Sequence, residues 1–219
     1  MDTAAIIQGY IEHVLEEGSA PMSVYAFTKK LDLSEREFFE HFGSLEALEG
    51  QIWATDVEET LRSVQSSDDW NGFGAEQKLL AFDFAFCDRI LDRRSFYLAR
   101  FPRRRKGQTP GGSLKEMGRV FTAFAEGLVQ DGSGSGEIAC RGALTRTYPH
   151  GLFLHLLSVI EFNLADDSKG FERTDAYIEK SVKLAFDLIG SQALDSAFDL
   201  VRFLTGKVRR HNPAAADER

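Results

Sequence analysis

Long apolar runs, paired cysteines and strand-like alternation are what this sequence lacks. No run approaches 18 apolar residues, so no stretch reads as a membrane span. The first 25 residues carry Glu12, Glu16 and Glu17 where a secretory signal needs a basic start and an apolar block, and the expected address is the cytoplasm. Cysteine occurs twice, at Cys87 and Cys140, without a CxxC or a nearby Cys/His cluster, which argues against a disulfide framework and structural zinc. Both thiols are expected to be small buried hydrophobes within helical patterns. HExxH, a phosphate-binding glycine loop, a Ser/His/Asp constellation and a usefully spaced carboxylate pair are also missing, so neither an enzymatic activity nor a cofactor is expected.

What is present is helical periodicity and phenylalanine. Eighteen phenylalanines in 219 residues, at 43% hydrophobic composition, are enough for a sizeable core. Ile6, Tyr10, Ile11 and Val14 mark a first helix that ends near Gly18, and Ser23 opens a short second one with Val24, Phe27 and Leu31 on one side. Ser34 caps a third, with Glu37 completing a capping box, and the spacing is that of a helix-turn-helix. Ser44 starts a long helix running to the polar break at Ser66 to Gly72. Further helices are expected over Gly74 to Asp92, Arg94 to Phe101, Leu114 to Gln130, Phe171 to Ile189 and Gln192 to Leu204. Pro102 to Ser113 and Asp131 to Glu137 read as a mobile loop and a flexible turn. Ile138 to Leu164, with Pro149 in mid-pattern, is expected to be a kinked helix or two abutting helices. The chain therefore reads as all-α.

The segment Ser34-x-x-x-Phe38-Phe39-x-His41-Phe42-Gly43-Ser44-x-Glu46-Ala47-Leu48 is the most specific in the chain. Together with the first helix and Ser23-Val24-x-x-Phe27, it resembles the N-terminal domain of the tetracycline-repressor (TetR) family of transcriptional regulators over Ile6 to about Trp53. The resemblance implies a helix-turn-helix domain over residues 1–50 and a helical ligand-binding and dimerisation domain over 51–208, and the composition of 209–219 reads as a disordered tail. It also implies a homodimer joined through the segments around Leu152 to Leu164 and Phe171 to Ile189. DNA contacts, if made, would fall to Lys29, Lys30, Ser34, Arg36, Phe39 and His41. Members of the family typically carry a tyrosine where Phe39 stands and a lysine where Leu45 stands, so two phosphate contacts are missing here. Ten acidic residues face only Lys29, Lys30 and Arg36 within residues 1–50, and Glu35, Glu37 and Glu40 lie on the helix meant for the groove. Phosphate neutralisation by Lys and Arg supplies most of a DNA binder's affinity. Two readings stay open: a degenerate module kept as a folding or docking unit, or a working DNA-binding domain.

Phe82, Phe86, Phe121, Phe124, Tyr148 and Phe153, with His150, are candidates to line a pocket for an apolar small molecule or lipid, or simply to pack a core. His150 and His155 stand five residues apart, too far round a helix for a shared metal, and each is expected to be satisfied by a hydrogen bond or to project into that pocket. Arg93, Arg94, Arg100 and Arg103 to Lys106 form a basic cluster able to meet an anionic partner or to stay solvated. The last helix, with Lys207, Arg209 and Arg210 behind it, admits peripheral membrane contact, which Asp195 and Asp199 weaken.

Overall fold

The computed structural model describes residues 1–102 and 112–190. Its helices are α1 (Thr3–Glu17), α2 (Val24–Lys30), α3 (Glu35–His41), α4 (Leu45–Gln65), α5 (Ala75–Asp92), α6 (Arg94–Arg100), α7 (Leu114–Ser135), α8 (Tyr148–Ala165) and α9 (Glu172–Gly190), with 3-10 turns at Asp68–Gly72, Thr145–Thr147 and Lys169–Phe171. No strand occurs among the described residues, and the fold is all-α. The helix expected over Gln192 to Leu204, the basic run Arg103 to Lys106, the tail 209–219 and the membrane-facing segment after Leu194 lie outside them.

Local chemistry sets the helix starts. The side chains of Asp2, Ser23, Ser34 and Ser44 each accept from a backbone N–H in the first turn of α1, α2, α3 and α4. At α3 the box is reciprocal: Glu37 N–H donates to Ser34 Oγ at 3.2 Å, and Ser34 N–H donates to Glu37 Oε2 at 3.0 Å. The helix expected to end at Gln130 continues to Ser135 and stops at Gly136, whose φ of 87° suits the left-handed cap. Packing explains the extension. Gly132 is buried against Ile138 and Ala75, where an added Cβ would lie 2.7 Å from Ile138 Cδ1, and Lys78 bridges to Asp131 at 2.9 Å. Burial recruits glycines that a purely local reading assigns to a turn.

The stretch Ile138 to Leu164 is neither one kinked helix nor two long ones. Residues 138–144 are non-helical, and α8 begins at Tyr148 with Pro149 in its first turn, where a missing N–H costs nothing. The segment before it caps α9: the backbone N–H of Ala139 and the guanidinium of Arg141 both donate to the Ile189 carbonyl. Cys87 is buried as expected, but Cys140 lies in this non-helical segment and is exposed.

A single apolar cluster runs from α1 to α9. Around the first three helices it is built from edge-on aromatic contacts, Tyr10 to Phe27 at 5.7 Å and Phe27 to Phe38 at 6.1 Å. Farther on, α4 lies along α7, α7 along α8, and α5 is sandwiched among α4, α7 and α9. None of the described helices is long and apolar enough to cross a membrane.

Candidate functional site

The exposed surface of α3 is mostly acidic, and that of α2 carries Tyr25, Lys29 and Lys30. Glu35, Arg36, Glu37, Phe39, Glu40 and His41 are all exposed, while Phe38 turns into the core. Phe39 is 53% exposed and Tyr25 60%, with Lys29 Nζ 6.0 Å over the Tyr25 ring. Of the cations proposed for DNA, Lys30 is held by Glu16 at 2.6 Å and Glu17 at 3.6 Å, and His41 Nδ1 lies 2.8 Å from Thr3 Oγ1. Ser34 is committed to its capping box. Arg36 and Lys29 have no ion-pair partner among the described residues, so two of the six candidates present an uncommitted positive charge on this face.

Behind it, α4 and α6 are joined by charge. Glu49 and Asp56, seven residues apart, fall on one buried face of α4, and each is met from α6. Glu49 accepts from Tyr10 Oη at 2.6 Å and from Arg100 Nε. Asp56 accepts from Arg93 at 3.2 Å and Tyr97 Oη at 2.8 Å, with Arg89 at 4.0 Å. Burial raises the Asp56 carboxyl, and the two arginines and Tyr97 pull it back. Burial and then Glu49 push the Tyr10 phenol well up. On the other side of α6, Arg94 donates to the carbonyls of Asn163, Leu164 and Asp166 and stacks 4.6 Å over Phe171, so α6 also grips the end of α8. Asp166 in turn accepts from the backbone and hydroxyl of Thr174 at 2.8 Å and from the Ser168 backbone; burial works against its charge, but these hydrogen bonds hold the carboxyl well below its ordinary range. Three arginines of the basic cluster, Arg93, Arg94 and Arg100, are therefore engaged within the chain, each satisfying an acid or a helix end.

The aromatic candidates divide between core and surface. Phe82, Phe86 and Phe121 are fully buried; Phe82 stacks on Phe86 at 5.6 Å and lies 5.3 Å from both Phe121 and half-buried Phe124, whose ring meets Phe121 edge-on at 5.8 Å. Tyr148 accepts from Arg141 at 2.7 Å. Phe153 and His150 instead line a groove of about 520 Å³ between α7 and α8.

Sequence reasoning missed Asp83. It is fully buried on α5, and neither carboxylate oxygen has a hydrogen-bond partner among the described residues. His155 Nδ1 lies 3.6 Å from its Oδ2, and His155 Nε2 lies 2.9 Å from Ser181 Oγ on α9. Burial raises the Asp83 carboxyl and lowers His155 to about 4, so a neutral pair with the proton on Asp83 is favoured. The Asp–His–Ser order imitates a catalytic row, but Asp83 to His155 exceeds hydrogen-bond length, and Ser181 Oγ also bonds the Ile178 carbonyl of its own helix. The available signal was the acid itself, set in the otherwise apolar Phe82-Asp83-Phe84-Ala85-Phe86.

Comparison with known proteins agrees with this architecture. The model of the family described as "Tetracyclin repressor-like, C-terminal domain" matches residues 78–204, more than half of the chain. No curated protein sequence gives a significant match. Among solved structures, a protein described as a tetR family transcription regulator from Shewanella sp. PV-4 superposes with a TM-score of 0.60 at 16% identity, covering 85% of this chain and 97% of its own. The fatty acid degradation regulator FadR from Bacillus halodurans gives 0.59 at 14%, covering 84% and 98%. With the helix-turn-helix signature at one end, this fold throughout and the family's C-terminal model over the rest, the chain belongs to the TetR family of transcriptional regulators.

Proposed function

We propose that this chain is a homodimeric regulator that binds an apolar small molecule, lipid or protein partner through residues 51–208, and whose helix-turn-helix, within residues 1–50, binds DNA weakly or not at all. The observation that carries this reading is the exposed surface of α3, which presents Glu35, Glu37 and Glu40 beside a single arginine, Arg36. Duplex DNA presents one negative charge about every 1.7 Å of axis, and three carboxylates brought against it are repelled where lysine or arginine would release counterions. A glutamate can accept from cytosine N4, so one acid at a base edge is compatible with readout. Three are not matched by Lys29 and Arg36.

Retention of the protein on genomic DNA fragments at low salt tests the reading. No retention is the expected result; tight, salt-sensitive and sequence-selective retention overturns it and leaves the alternative, a ligand-released DNA-binding repressor, for which the intact capping box and packed three-helix nucleus are the support. The dimer is supported by Leu184 and Leu188, large apolar side chains exposed on α9, one of the two helices expected to pair.

A further inference from the structure

The groove between α7 and α8 has a consistent chemistry. Its floor is apolar: Phe153 lies across Gly118, where an added Cβ would come within 3.0 Å of the ring, and Leu154, exposed at 42%, forms one wall. The absence of a side chain at Gly118 is what lets the ring close the floor against the α7 backbone. Its rim is cationic. Lys115 and Arg119 stand one turn apart on α7, and His150 faces them from α8. Arg119 Nε is taken by Glu116 at 2.8 Å, which leaves its remaining N–H donors; the side chains of Lys115 and His150 have no hydrogen-bond or ion-pair partner among the described residues. No carboxylate lines the groove. A volume of about 520 Å³ falls within the range of small-molecule sites.

We infer that this groove binds a free single-chain amphipathic carboxylic acid, with the hydrocarbon against Phe153 and Leu154 and the carboxylate at Lys115 and Arg119. The inference rests on the ligand reading proposed above and names its chemical class. A neutral apolar ligand would gain nothing from the rim. A cation would be repelled by it, and an acid with a hydrocarbon tail satisfies both parts at once.

Calorimetric titration of the full chain with dodecanoate and with dodecanol tests this. The acid is expected to bind at one site per chain, and the alcohol at least about tenfold more weakly, in line with loss of a charge-assisted contact. The double substitution Lys115→Glu and Arg119→Glu, both on exposed positions outside the core, is expected to reduce dodecanoate affinity by a further factor of about ten or more without changing the melting temperature by more than a few degrees. Equal affinity for acid and alcohol, or wild-type affinity in the double variant, overturns the inference. So does binding to phosphatidylglycerol vesicles without binding of the free acid, which would make the rim a membrane contact, and so does loss of the dimer in the double variant with acid affinity intact, which would make the groove a subunit contact. DNA retention reads α3 and is independent of these outcomes, so failure here leaves the helix-turn-helix reading standing.

Discussion

Asp83 and Glu35 are both helical acids, and their surroundings make them opposite in kind. Glu35 lies in solvent. Asp83 is fully buried, with His155 Nδ1 3.6 Å from its Oδ2. Its folded-state carboxyl is raised above the value of the unfolded chain, so the unfolded state gives up the proton first, and stability falls as pH rises above the unfolded value near 4. His155 acts at the other end. Its folded value of about 4 lies below the unfolded value near 6.5, so its contribution is complete above that and is lost as pH falls from there to about 4. Asp83→Asn keeps the shape, removes the first term and offers His155 Nδ1 an N–H. Thermal melts should show the variant several degrees more stable than wild type at about pH 8, with the difference shrinking towards pH 4. A difference that is constant with pH would mean that Asp83 is not the group responsible.

Elements show how far local rules reach. The starts of α1 to α4 were legible because a capping side chain and the N–H it accepts from lie within three residues of each other, and Ser34→Ala should cost about 1 kcal/mol by urea unfolding through loss of the α3 box. The end of α7 and the start of α8 were not legible in the same way. Glycines at 132, 134 and 136 read locally as a turn, yet Gly132 is the point where α7 closes on Ala75 and Ile138. Gly132→Val is therefore expected to destabilise the protein by about 1–3 kcal/mol through overcrowding, although valine is the better helix former. Chemical denaturation of the two proteins decides it, and a stabilised variant would restore the reading of this stretch as a loose turn. Pro149 was ambiguous for a related reason. Proline in an apolar pattern signals a break, but whether helix stands on both sides depends on what the preceding residues touch, and residues 139 and 141 are drawn off to the end of α9.

At the scale of the whole molecule, two of the large apolar side chains left exposed lie on α9, one of the helices expected to form the subunit contact. Leu184 is 57% exposed and Leu188 46%, one turn apart on α9. Sedimentation of Leu184→Glu with Leu188→Glu should shift the proposed dimer towards monomer with little loss of helix content, since neither side chain is buried within the chain; an unchanged sedimentation coefficient would place the subunit contact elsewhere. The sequence by itself determined that the chain is helical, where its first four helices begin, and that its aromatic helix-turn-helix signature belongs to the TetR family, because caps, periodicity and that motif all act over a few neighbouring residues. Only the tertiary structure decided the fate of the charges. Glu49 and Asp56 meet Tyr10, Arg93, Tyr97 and Arg100 across 37 to 51 positions of chain, and Arg94 reaches the end of α8 across about 70, whereas Glu35 and Glu40 form no ion pair among the described residues. An acid's surroundings are set by whichever distant elements pack against its own, and that is a property of the fold and not of the neighbouring residues.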